Sequence, residues 1–160
     1  MAQSLTKTAH IDSTPQQIRD WLNDWDHIRA WMGPTLVSIE IFSGEPDGTP
    51  IQQGMRFRET RKMGKMTAKA VIDVERHEID PQGVFHHVAV FDDGCNRMVS
   101  EYQYEPDGTG TRATWTMRNA PGKWWTKLLA PIFGPMMIKM CEKHEGDHLD
   151  RLKALIETPE

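Results

Sequence analysis

Between Thr35 and Met117 apolar side chains recur at every second position, in runs separated by short turn-forming clusters. A period of two puts one set of side chains on a single face of a strand. Val37, Ile39 and Ile41 alternate with Ser38 and Glu40; Met55, Phe57 and Glu59 alternate with Arg56, Arg58 and Thr60. Met66, Ala68, Ala70, Ile72 and Val74 form the longest strict alternation, set against Thr67, Lys69, Val71 and Asp73. Residues 84–91 are nearly all apolar, interrupted by His86 and His87. Met98, Ser100, Tyr102 and Tyr104 alternate next, and Ala113, Trp115 and Met117 form the last strand. The punctuation is turn chemistry: residues 44–48, Gly64, residues 80–83, 92–94 and 105–108. Links this short leave no room for a crossover, so successive strands are expected to be antiparallel neighbours. The tetrapeptide Glu-Pro-Asp-Gly occurs at 45–48 and again at 105–108. It reads as one good turn used twice, not as a duplicated domain.

Around this block lie a strand and three helical stretches. Residues 5–11 alternate loosely. Thr14, Pro15 and Gln17 then spell a helix start, with Thr14 as cap, Pro15 in the first turn and Gln17 completing a capping box. That helix runs through Ile18, Trp21, Leu22 and Trp25, and a second over 26–31 stops at Gly33-Pro34. Trp21, Trp25 and Ile28 stand at helical spacing, as core residues do. Only the stretch 122–157 is long and periodic enough for a long helix. Pro131 and Pro135 break its start, so an uninterrupted helix is expected from about Pro135. Met137, Cys141, His144, His148, Leu152 and Leu155 share one face, while Lys139, Glu142, Lys143 and Lys153 take the opposite one. The apolar face is soft where Met136, Met137, Met140 and Cys141 stand, holds two histidines in its middle, and turns to leucine only at its end. Such a face adapts to something other than fixed protein. A sheet with one apolar face and one long amphipathic helix make an α+β fold in which the sheet curls around the helix, one domain over 1–160.

Composition narrows the function. The formal net charge of −4 disfavours non-specific binding to nucleic acid or to anionic membranes. No apolar run approaches the roughly 20 residues that span a bilayer, and residues 1–12 hold no apolar signal core. Cys95 and Cys141 lie far apart without metal-like spacing and read as free thiols. A cytoplasmic protein, monomer or weak homodimer, with no cofactor, no nucleic-acid partner and no stable membrane insertion is expected.

Three stretches in order carry a family resemblance: Ser-Thr-Pro-Gln-Gln-Ile at 13–18, Glu-Pro-Asp-Gly-Thr-Gly-Thr-Arg at 105–112, and Leu-Asp-Arg-Leu-Lys-Ala-Leu-Ile-Glu at 149–157. Together they resemble the START-like or SRPBCC superfamily, and within it the polyketide cyclase/dehydrase-like group of small bacterial proteins. The resemblance covers roughly residues 5–156. It implies a helix-grip fold (START/Bet v 1-like), a seven-stranded antiparallel sheet around the C-terminal helix with a deep cavity between them. Members bind lipids, polyketides, sterols or hormones, and some are cyclases or aromatases. The family has no universal catalytic motif, so only a location carries over: the helix face above lines the cavity.

The candidate side chains follow from that location. Met136, Met137, Met140 and Cys141 shape the pocket, and His144, His148, Tyr102 and Trp115 set its few polar contacts. Residues 144–148 match H-E-x-x-H, yet no His or Cys follows His148 as a third ligand, and Gly146 is a poor rigid platform. No metal is expected. Of His86 and His87 one faces inward, and both alternating sets are apolar, so either satisfies the pattern. Glu59 shares the parity of Met55 and Phe57; the preferred reading is a solvated carboxylate near a strand end, the other a general base inside the cavity. Arg56, Arg58, Arg61, Lys62, Lys65 and Lys69 read as a solvated outer face. The expected function is binding of a small hydrophobic ligand, whether lipid, isoprenoid or polyketide-like. The alternative is a cyclase or dehydratase drawing an acid and a base from His144, His148, Glu59 and Tyr102.

Overall fold

The computed structural model describes residues 4–42, 46, 48–94, 97–120, 139, 142 and 146–158. Seven strands and three helices stand in the described residues: β1 (Ser4–Ile11), α1 (Pro15–Leu22), α2 (Trp25–Met32), β2 (Leu36–Ile41), β3 (Arg56–Met63), β4 (Met66–Ile79), β5 (Phe85–Asp92), β6 (Arg97–Asp107), β7 (Gly110–Asn119) and α3 (His148–Glu157). The strands form one sheet in the order β1-β7-β6-β5-β4-β3-β2, with every neighbouring pair antiparallel. This is the expected architecture, and it follows from the short links.

The helix starts are those the sequence spells. Thr14 accepts from Gln17 N, and the Gln17 side chain accepts from Thr14 N at 2.9 Å, closing the capping box with Pro15 in the first turn. α2 begins one residue earlier than expected, because Asp24 caps it by accepting from Asp26 N at 2.7 Å. α3 is fixed at both ends. Lys7 Nζ donates to Gly146 O at 3.0 Å, Asp12 N to Glu157 Oε1 at 2.7 Å, and Lys153 Nζ to His10 O at 2.6 Å. Arg151 Nη1 reaches Trp31 O at 2.9 Å, tying α3 to α2. Beneath it Ile11, Ile18, Tyr104, Trp115, Leu149 and Leu152 form a closed core, and Met55, Phe57, Ile72, Val74, Trp25 and Ile28 form a second around β3 and β4.

Several expectations need correction. The C-terminal stretch is not one uninterrupted helix. Lys139 and Glu142 are helical, but Gly146 and Asp147 form a turn and α3 restarts at His148. A Cβ at Gly146 would press on the Glu142 carbonyl oxygen and lie 2.9 Å from Lys7 Nζ, so the turn relies on glycine. Val37 is not half-buried but 61% exposed, because a register shift between Leu36 and Ser38 interrupts the alternation. Met66 and Ala68 carry the inward parity of Ile72 yet are exposed, since the start of β4 runs past the core. The turn expected at 105–108 falls at Gly108 and Thr109. β6 continues through Pro106 because β5 ends level with Tyr104, so no strand on that side needs a donor from Pro106.

Candidate functional site

One row of residues crosses the inner face of the sheet. His77, His87, Tyr102 and Trp115 are successive register partners on β4, β5, β6 and β7. Their ring centroids lie 5.1, 6.0 and 6.2 Å apart along the row. From above, α3 adds His148, whose ring stands 6.3 Å from Trp115 and 5.5 Å from Trp31 of α2. Trp31 meets Tyr102 edge-on at 5.3 Å and donates from Nε1 to His148 O at 2.9 Å. Tyr102, Trp115 and His148, chosen from the sequence, are therefore brought together. Met136, Met137, Met140, Cys141 and His144 lie outside the described residues, as does the gap expected beside them.

The histidine parity is settled by geometry. His87 faces inward with Phe85 and Ala89, while His86 is buried on the other face, its Nε2 3.0 Å from Asp80 Oδ2. The inward His87 has a partner the sequence hid. His77 has the parity of Asp73 and Val71, which points outward from Ile72 and Val74. A bulge between Val74 and Arg76 reverses the strand's faces, and His77 turns in. With Asn23 Oδ1 accepting from His77 Nε2 at 3.3 Å, His77 Nδ1 carries no proton and accepts from His87 Nδ1–H at 3.0 Å. Both rings are neutral. Burial, aided by Arg19, lowers His77 to about 4. Burial, aided by His77, lowers His87 to about 3.

His148 is also held neutral. Burial lowers it to about 3, with Arg61 and Arg151 adding to the effect and Asp147 opposing it. Its Nδ1 lies 3.4 Å from Tyr102 Oη, and its buried Nε2 has no partner among the described residues. Trp115 Nε1 donates to Ser100 Oγ at 2.8 Å, so the tryptophan is fixed. Beside Tyr102, the buried Tyr104 hydroxyl also has no partner among the described residues, and burial pushes its phenol up.

Glu59 overturns the preferred reading. It is 4% exposed and faces the interior, where its Oε1 accepts from Arg61 Nε. Arg61 follows Glu59 by two, so it shares the inner face and does not belong to the solvated basic run. Its Nη1 also reaches Met32 O at 3.4 Å and Thr35 Oγ1 at 3.3 Å. Glu59 Oε2 is buried without a partner among the described residues. Arg61 acts electrostatically on His148 while gripping Glu59, which places all three in one neighbourhood.

An open cleft of about 820 Å³ lies elsewhere, lined by Asp20, Asn23, Asp24, Trp25, Asp26, Arg29, Ile39, Glu40, Ile41 and Gly48. Its acids are already engaged: Asp20 with Gln16, Asp26 with Arg29 and Glu40 with Arg58. Among the described residues it meets the inner row only through Asn23, which bonds His77, and its charged wall does not suit an apolar guest. The unpartnered polar atoms of the inner face mark the better candidate.

The arrangement of one antiparallel sheet with its C-terminal helix laid over the inner face is shared with known proteins, and the sequence match decides the family. The chain belongs to the polyketide cyclase/dehydrase and lipid transport family. The match covers residues 2–157. Its fold is the helix-grip fold of the START-like SRPBCC superfamily. Among solved structures it is similar to TTHA0849 from Thermus thermophilus, at 18% identity and a TM-score of 0.63, covering 97% of this chain and 95% of that one. It is similar to the STAR-related lipid transfer protein from Xanthomonas axonopodis, at 13% identity and a TM-score of 0.62, over 97% and 86% of the two chains. It also resembles Ara h 8.0201, at 12% identity and a TM-score of 0.63, over 98% and 99%. No curated protein is significantly similar to it in sequence. At these identities the solved structures share the fold with this chain.

Proposed function

We propose that the protein binds a small apolar molecule bearing one or two polar groups, a lipid, isoprenoid or polyketide-like compound, between the inner sheet face and the C-terminal segment. The observation that carries this reading is the pair of buried atoms without a partner among the described residues, Glu59 Oε2 and His148 Nε2, in the neighbourhood of Arg61. A buried polar atom left unbonded costs about 1–3 kcal/mol. A ligand hydroxyl that donates to Glu59 Oε2, or a ligand group that bonds His148 Nε2, removes that cost. Apolar burial, at about 25 cal/mol per Å² before ordering costs, supplies the remaining affinity. Met136, Met137, Met140 and Cys141 form the soft wall in this reading, and His144 adds a polar contact beside them. Tyr102 and Trp115 form the rigid floor.

Tyr102 beside His148 also supports a second reading, acid–base catalysis of a cyclase or dehydratase kind. A histidine lowered to about 3 is a weak base near neutral pH, which favours binding over turnover.

Native mass spectrometry of freshly purified protein, followed by solvent extraction, tests both. An apolar adduct recovered unchanged after incubation supports binding, and a changed product supports catalysis. Protein that carries no adduct and takes up no hydroxylated fatty acid, isoprenoid alcohol or aromatic polyketide overturns both readings.

A further inference from the structure

β3 and β4 run on past the rest of the sheet. β2 ceases to pair with β3 beyond Arg61, and β5 ceases to pair with β4 beyond Val71, which lies level with Asp92. At the tip Lys62 pairs with Thr67 and Met63 with Met66; past the Lys62 N–H donated to Thr35 O at 2.8 Å, the ribbon pairs only with itself among the described residues. Five residues separate Val71 from Met66, which at about 3.4 Å per residue carries the tip roughly 17 Å beyond β5. Lys62, Lys65, Met66, Thr67, Ala68 and Lys69 are all exposed, Met66 at 72%. Gly64, at φ +64°, makes the turn.

The chemistry of this tip differs from that of the chain. Residues 62–69 hold three lysines and no acid, in a protein of formal net charge −4. Lower on the ribbon, Arg56 is matched by Asp73 at 2.9 Å and Arg58 by Glu40 at 3.0 Å. Lys62, Lys65 and Lys69 form no ion pair among the described residues. Screening over about 8 Å at physiological salt cuts the tip off from most of the acids elsewhere, so its local field is positive. A single exposed methionine needs no explanation by itself. A flexible apolar side chain at the end of a projecting ribbon, flanked by unpaired lysines, is the composition of a peripheral membrane anchor.

We propose that the β3–β4 tip docks end-on to an anionic lipid surface, with Met66 entering the interfacial layer and Lys62, Lys65 and Lys69 reaching the headgroups. A nucleic acid also offers phosphates, but single strands are held by aromatic stacking, and residues 62–69 contain no aromatic ring. Unlike a phosphate backbone, a lipid layer offers the exposed Met66 an apolar destination. The docking stands apart from the interior site and does not depend on it.

Co-sedimentation of the full-length protein with vesicles of phosphatidylcholine alone, or of phosphatidylcholine mixed with phosphatidylglycerol, tests the proposal. Binding is expected to the mixed vesicles only, and to fall as salt is raised. Three lysines near an anionic surface give about a hundredfold in partition, which the Lys62→Gln/Lys65→Gln/Lys69→Gln variant should lose. Met66→Ser should weaken binding by a smaller factor and leave the salt dependence unchanged. All four positions are exposed, and matching thermal melts confirm that the variants fold. Sedimentation with neither vesicle, equal sedimentation with both, or an unaltered triple variant overturns the proposal. Displacement from the vesicles by an oligonucleotide, with the triple variant losing oligonucleotide binding, reassigns the tip to nucleic acid.

Discussion

Mild acid should destabilise this protein at a pH where its carboxylates still hold. His77, His87 and His148 are 6%, 8% and 4% exposed and neutral in the native state, the first lowered from 6.5 to about 4 and the other two to about 3, mainly by burial. In the unfolded chain each titrates at its ordinary value. Between about pH 6.5 and the folded values, the unfolded state therefore binds more protons than the native one, and stability falls as pH falls. His77 and His87 share a hydrogen bond and titrate as a pair, so His148 gives the cleaner magnitude. Near pH 5 the unfolded imidazole is almost fully protonated and the native one is not, a difference of about 2 kcal/mol. The pair acts in the same direction, and the three together remove roughly 4–6 kcal/mol, against a total stability of about 5–15 kcal/mol. Asp80, held low first by its hydrogen bond with His86, and Glu157, held low first by Asp12 N–H, also lose stabilising charge as pH falls. Their window opens at the ordinary carboxylate values and runs below them, so they add little to the loss near pH 5. The assay is urea unfolding followed by tryptophan fluorescence near pH 7 and near pH 5. A slope of about 1–3 kcal/mol per M turns the loss into a midpoint shift of roughly 2 M. His148→Gln should be less stable throughout yet lose about 2 kcal/mol less between the two pH values. An unchanged wild-type midpoint, or a variant that keeps the whole pH-dependent loss, refutes the reasoning.

Three further outcomes are expected from the same melts. Glu59→Ala removes the carboxylate that grips Arg61 Nε, itself on a residue only 13% exposed; the loss should be about 3 kcal/mol, and less than about 1 would show that the remaining partners of Arg61, Met32 O and Thr35 Oγ1 among them, suffice for the cation. Ser100→Ala leaves the buried Trp115 Nε1–H without its acceptor and should cost about 1–3 kcal/mol, whereas Ser100→Thr, which keeps a hydroxyl, should cost less. Thr14→Ala removes the α1 cap and should cost about 1 kcal/mol; Thr14→Ser should be near neutral, and equal losses from both would discount the cap.

The features read correctly from the sequence are those decided by local rules. Alternation and short turns placed all seven strands and made them antiparallel. The Thr14–Gln17 capping box placed α1, and parity placed Tyr102 and Trp115 on the inner face. Other features were hidden by single-residue departures from those rules. One register shift exposes Val37, and one overhang exposes Met66, although both fit the inward pattern. Arg61 is different, because its parity was legible. Its charge groups it with the basic run, but the count from Glu59 points it inward, and the pairing with Glu59 then follows from two residues two apart on one face.

The site depends most on the irregularity that sequence reading is least able to see. Extrapolating β4 from Ile72 and Val74 sends His77 to solvent, and a solvent-facing His77 takes away the partner that His87 Nδ1 bonds in the folded chain. A buried polar group without a partner is disfavoured. Once His87 is taken as inward, some neighbour on β4 or β6 must supply a hydrogen bond, and the register offers Tyr102 on one side and His77 on the other. A bulge between Val74 and His77 is the smallest change that satisfies His87. The alternation of Glu75, Arg76, His77 and Glu78 as exposed, half-buried, buried and exposed is its trace. The same requirement of satisfaction, applied to Glu59 Oε2 and His148 Nε2, finds no answer among the described side chains. At His87 the demand is met by a neighbouring strand; at Glu59 and His148 it is the demand that the proposed ligand would meet.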